Sequence, residues 1–110
     1  MAREQLGLLQ GTVDVLILRT LAWAPMHGYG ISQWIADRSA GALAVEDAAL
    51  YQALHRLERR GWVEAEWGLS ENNRRAKYYQ LTAEGRKQLR AEAATWRRYA
   101  EAVFKVLETA

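Results

Sequence analysis

Tyr51, Gln52, His55 and Arg56 lie off the apolar stripe formed by Leu50, Leu54 and Leu57 in the run Val45 to Trp62. A glutamine amide can bond adenine at N6 and N7, an arginine fork matches guanine O6 and N7, and a tyrosine hydroxyl suits a phosphate. Asn73, Arg74, Arg75 and Lys77 follow in a polar basic tip, NNRRAK, where cations suit phosphate oxygens. The chemistry available is hydrogen bonding and charge pairing with a polyanion. Gln52, nearest the start of its helix, is the best candidate to read a base, and Tyr51 is better placed for a phosphate. Arg59 and Arg60 come late in the helix and add positive field or pair with Glu58 and Glu64. Tyr29 and Ser32, early in another helix, are further candidates for phosphate contact.

These side chains need elements to aim them. The 50/54/57 stripe has helical spacing, and Gly61 stops the helix as a left-handed residue. Trp62 to Trp67 then alternates as a strand, and a second strand is expected over 76–81, with Asn72 and Asn73 forming the turn. Tyr78 and Tyr79 fall on opposite faces, one to the core and one to the surface. A short amphipathic helix followed by a basic hairpin is the arrangement of a winged helix-turn-helix, an α+β fold. Upstream, Thr12 is expected to cap a first helix with Asp14 in its first turn, and Pro25 ends that helix near Ala24. Met26 to Gly30 reads as a tight connection whose glycines permit close packing, and it lacks the strand and the Lys-Ser/Thr of a phosphate-cradling loop. Ile31, Trp34 and Ile35 give a second helix ending near Arg38. Ala42 to Val45 is expected as a short edge strand, and the third helix starts near Glu46 or Asp47. Trp23, Trp34, Trp62 and Trp67 are expected to be core or half-buried.

Thr82 caps a last helix of roughly 25 residues, whose Leu89, Ala93, Trp96, Ala100, Val103 and Leu107 are spaced four, three, four, three, four. That is an a/d seam with a period near 3.5, widened by Tyr99, Phe104 and Val106. At 1.5 Å per residue the helix is about 38 Å long, more than a small domain can cover, and a second copy of the same helix is the simplest cover. Trp96 beside Ala93 and Ala100 is either a packing residue of that contact or a plate lining a pocket for a planar ligand. Residues 1–82 thus read as the winged-helix head and 83–110 as the dimerisation helix, the two forming one compact unit.

The 110 residues suit one domain. Net charge is only +2, but residues 1–54 carry three basic and five acidic side chains, whereas residues 55–110 carry twelve and eight. A polyanion would meet the second half first. No cysteine is present, which excludes disulfides and thiolate metal sites and suits a reducing cytosol. The start, MAREQLGLLQ, does not read as a signal peptide, no run approaches membrane-spanning length, and a cytoplasmic protein is expected. His27 and His55 stand without carboxylates at metal-ligand spacing, no nucleophile motif occurs, and Glu64 with Glu66 reads as a solvated strand face. Neither an enzyme nor a cofactor or metal is expected.

Leu9-Gln10-Gly11-Thr12-Val13-Asp14 with Leu16-Ile17-Leu18, then His27-Gly28-Tyr29-Gly30-Ile31, then Leu50-Tyr51, Ala53-Leu54 and Arg56-Leu57-Glu58, then Gly61, then Tyr78-Tyr79 with Leu81-Thr82 and Gly85, resemble the PadR-type transcriptional regulators. The single C-terminal helix is similar to the small-subfamily members. The resemblance implies a winged-helix homodimer that binds a pseudo-palindromic DNA operator, usually represses, and is often released by a small aromatic effector. The family's reading helix usually runs Gly/Ala-Thr/Ser-Leu-Tyr-Pro, where this chain has Ala48-Ala49-Leu50-Tyr51-Gln52. Ala49 lacks the hydroxyl, and Gln52 replaces the proline with a side chain that can bond a base. Two alternatives stay open: a winged helix that docks a protein, and a ligand-binding dimer without DNA activity.

Overall fold

The computed structural model describes residues 11–109, so Leu9 and Gln10 of the first motif lie outside the described residues. Four helices and a three-stranded sheet are present: α1 (Thr12–Trp23), β1 (Met26–His27), α2 (Gly28–Arg38), α3 (Asp47–Arg59), β2 (Val63–Leu69), β3 (Arg75–Leu81) and α4 (Ala83–Leu107). The sheet order is β1-β3-β2, and both pairings are antiparallel. Helices α2 and α3 form the helix-turn-helix, and β2–β3 form the wing.

The core collects one face from each element. Ile17, Leu18 and Leu21 of α1 meet Ile31 and Ile35 of α2, Leu50, Leu54 and Leu57 of α3, and Val63, Tyr79 and Leu81 of the sheet. Each leucine removed from water contributes about 1.5–3 kcal/mol before chain entropy is counted. The expected stripe of α3 is therefore what anchors it, leaving Ala48, Tyr51, Gln52 and His55 at the surface.

Helix ends follow from local chemistry. At the end of α3, Gly61 takes φ +77°, the Trp62 N–H donates to the Leu57 carbonyl at 3.0 Å, and the Gly61 N–H donates to that of Glu58 at 3.0 Å. Those paired bonds satisfy carbonyls the helix leaves open and aim the chain into the wing. Thr82 caps α4 as expected, its Oγ1 accepting from the Gly85 N–H at 3.0 Å. At the wing tip Asn73 takes φ +60° and its N–H donates to the Ser70 carbonyl at 2.9 Å. Both strands extend beyond the expected limits, pairing as far as Leu69 with Arg75.

Several expectations are corrected. Gly11, not Thr12, precedes the first helix, and Thr12 is buried inside its first turn. The connection after Pro25 is largely structured: Met26–His27 pairs with Tyr78–Tyr79 as a third strand, and α2 begins at Gly28. A two-residue strand has no periodicity to read, and its partner is remote in sequence. Only a single bridge residue, Leu43, occurs where an edge strand was expected. Trp34 and Trp62 are half-buried, but Trp23 and Trp67 are 63% and 57% exposed. Arginines cover the indoles instead of the core: Arg38 lies over Trp23 and Trp34, and Arg75 over Trp67.

Candidate nucleic-acid interface

The start of α2, the exposed side of α3 and the wing converge on one side of the molecule. Between α2 and the wing runs a groove of about 860 Å³, walled by Tyr29, Gln33 and Trp34 on one side and by Trp67, Arg74 and Arg75 on the other. A second hollow of about 480 Å³ lies between α3 and the wing, bounded by Ala48, Gln52, His55 and Lys77. Tyr51 borders both and forms the ridge between them.

The ridge depends on a missing side chain. A Cβ on Gly28 would lie 2.5 Å from the Tyr51 hydroxyl and 2.8 Å from its ring, so only glycine lets the tyrosine lie against the first turn of α2. The neighbouring His27 caps that turn, its Nδ1 accepting from the Gly30 N–H at 3.0 Å. Its Nε2 lies 3.8 Å from Glu71 of the wing loop, and its ring is 5.3 Å from that of Tyr78. One imidazole thus touches both the helix-turn-helix and the wing.

The expected residues divide into three groups. Tyr29, Tyr51, Gln52, His55, Asn73, Arg74 and Arg75 are exposed along the two hollows or at the wing tip. Arg75 stacks at 4.6 Å over Trp67, which straightens its stem toward solvent, while Arg74 forms no side-chain ion pair among the described residues. Lys77 is partly committed within the fold, donating to Glu58 at 3.4 Å and lying over the Tyr79 ring. Burial there pushes the Tyr79 phenol above its ordinary 10.0, against the opposing pull of the Lys77 charge.

Two residues sit otherwise than expected. The Ser32 hydroxyl is shut away from solvent and has no hydrogen-bond partner, so it offers no surface to a phosphate. Arg56 donates through Nη2 to Asp14 of α1 at 2.6 Å, and this guanidinium is held by the scaffold instead of standing free for a base. Pairing over 42 positions has no local signature. Sequence reasoning also missed Gln33 and Trp67 as walls of the groove. Their signal was present in hindsight: Gln33 is one turn after Tyr29, and Trp67 faces Lys77 across the wing.

On α4, Leu89 packs against the core, and Trp96 reaches back so that its indole N–H donates to Thr12 Oγ1 at 3.4 Å. Beyond it the expected seam is bare in the single chain: Ala93 and Val103 are exposed, Ala100 is half-buried, and Leu107 is 71% exposed.

A model of the PadR-like family of transcriptional regulators matches residues 17–91. The chain belongs to the PadR-like family. The matched span runs from α1 into the first third of α4 and so includes the whole helix-turn-helix and wing. Among PadR-like structures, a regulator from Eggerthella lenta shares 34% identity at TM-score 0.77, covering 92% of this chain and 86% of its own. A PadR family regulator from Clostridium difficile shares 27% identity at TM-score 0.75, covering 88% and 99%. A transcriptional regulator from Clostridium thermocellum shares 30% identity at TM-score 0.79, covering 87% and 90%. An uncharacterised protein of Lysinibacillus sphaericus is 30% identical over 101 residues, covering 92% of this chain and 93% of its own. This PadR-like chain has the winged-helix fold of its family, with the long C-terminal helix appended. Among the described residues no helix is long and apolar enough to cross a membrane, and no group of three or more His, Asp or Glu converges as metal ligands.

Proposed function

We propose that the protein is a sequence-specific, DNA-binding transcriptional repressor that acts as a homodimer. The observation that carries this reading is the shared surface of the reading helix and wing, with Tyr51 as the ridge between two hollows. In this reading α3 enters a major groove, Gln52 addresses a base edge, and Tyr29, Tyr51, Arg74 and Arg75 hold the flanking phosphates. Residues 1–82 serve as the DNA-binding head. Residues 83–110 join two heads through the bare face of α4 and set them about one duplex turn, roughly 34 Å, apart on a pseudo-palindromic operator. The non-enzymatic character of the family supports a regulator without catalytic residues, and the cysteine-free chain suits the cytoplasm.

A small planar aromatic effector fits the same reading. Trp96 lies among Ala93 and Ala100, which leave room beside the indole, and a ligand there would favour one angle between the heads over another.

The test is a mobility-shift titration against the duplex upstream of the chain's own gene, at several salt concentrations. Neutralising six phosphates per dimer predicts that log K falls with log salt at a slope of about −5. A flat response, or no shift at low salt, would overturn the reading and favour a protein-docking module. Quenching of tryptophan fluorescence by planar aromatics with no shift would favour a ligand-binding dimer.

A further inference from the structure

We propose that Asp14 is a positioning residue for DNA reading: it fixes the roll of α3 through Arg56 and Arg60 and touches no DNA itself. The inference rests on the DNA-binding reading above. Both carboxylate oxygens of Asp14 face α3, with Arg56 Nη2 2.6 Å from Oδ1 and Arg60 Nη1 4.0 Å from Oδ2. The two arginines are one helical turn apart, so a single acid spans a turn of the reading helix. The Asp14 side chain is only 18% exposed, which screens the pair less than a surface ion pair. It also lies in the first turn of α1, where the helix dipole favours negative charge. Arg60 is held a second time, 5.1 Å from the Trp62 ring.

The leucine stripe of α3 sets how deeply the helix is seated. Stripe contacts alone tolerate some rotation about the helix axis, because Leu50, Leu54 and Leu57 lie along one line. Arg56 and Arg60 leave the helix beside that line and are tied to a different element, so they resist the rotation. Gln52 is one turn before Arg56. A roll of about 20° would carry its tip about 2 Å at a helix radius of 5–6 Å, enough to break a base hydrogen bond. The same turn of α1 receives the Trp96 indole N–H on Thr12, so the fixed point of the reading helix adjoins the contact with α4.

Charge and positioning predict opposite signs for one substitution. If Arg56 met DNA directly, Asp14→Asn would free it, remove a negative charge and tighten binding. If Asp14 positions α3, Asp14→Asn loosens the reading helix and sequence preference falls. Purified full-length protein is used to select a duplex of about 30 base pairs from a randomised pool. Affinity is then measured for that duplex and for its scrambled sequence, below each variant's unfolding midpoint as set by circular dichroism. We expect Asp14→Asn and Arg56→Gln each to lower the selected-to-scrambled ratio about tenfold while scrambled binding by Asp14→Asn is unchanged or tighter. The double variant should fall no further, the mark of a shared contact, and Asp14→Glu should keep most of the ratio. An unchanged or increased ratio in Asp14→Asn, or a parallel loss on both duplexes, would overturn the inference alone. A wild-type protein that enriches no duplex would overturn the DNA-binding reading and this inference with it.

Discussion

Gln52 and Arg74 carry different parts of recognition. Gln52 is exposed on α3 and has the paired donor and acceptor that a base edge requires; Arg74 is an unpaired cation at the wing tip. Gln52→Ala is expected to narrow the gap between preferred and scrambled duplexes, by about 1–3 kcal/mol at the contacted base pair. Arg74→Ala should weaken all duplexes alike and make the salt slope shallower by about one. Equal effects of both substitutions in a binding titration would remove that division. Tyr79 offers a separate check on the wing. Its buried phenol ionises above the ordinary 10.0, so the folded state resists losing a proton that the unfolded chain gives up near that pH. The stabilising share is complete below pH 10 and disappears as pH rises through the higher folded value. Urea midpoints measured across that range should fall for the wild type and fall less steeply for Tyr79→Phe.

Glycines decide how the helices meet. Gly61 holds φ +77° at the exit of α3, and an L side chain in that region costs about 1–2 kcal/mol, so Gly61→Ala should lower the thermal midpoint without altering the DNA-facing residues. Gly28 is different, since its φ is helical and its role is clearance under Tyr51. Gly28→Ala should displace the Tyr51 ring and impair DNA binding more than stability, as judged by a titration and a melt on the same sample. Gly85 lets α4 start against the Trp62 carbonyl, and a Cβ there would collide with that backbone. The Leu50/Leu54/Leu57 stripe, the Gly61 stop and the Thr82 cap were legible because each is a local signal: a period, a backbone conformation and a hydroxyl three residues before its donor. Strand β1 was not, because two residues paired with Tyr78 and Tyr79 across half the chain leave no pattern of their own.

The molecule extends 56 × 39 × 21 Å, and its longest element carries Tyr99, Val103, Phe104, Val106 and Leu107 into solvent. A row of exposed apolar side chains on one long helix is expected to be covered, and burial against a twin helix would contribute roughly 25 cal/mol per Å². Sedimentation should give twice the 12.5 kDa chain mass, with Val103→Asp shifting the protein toward the monomer and weakening DNA binding in parallel. A wild-type monomer at micromolar concentration would remove the paired-head geometry.

Type and order of the helices, the basic wing and the bare α4 seam followed from this sequence unaided, because hydrophobic period, capping chemistry and charge placement act within one or two turns. The same reading placed Arg56 among DNA contacts, Ser32 at a phosphate and Trp67 in the core. Only the packed fold could reassign them, through Asp14 at 42 positions' distance, a hydroxyl closed off from water, and Arg75 stacked on an exposed indole. Side-chain type limits which partners a residue accepts; which of those partners comes within reach is set by how distant elements pack.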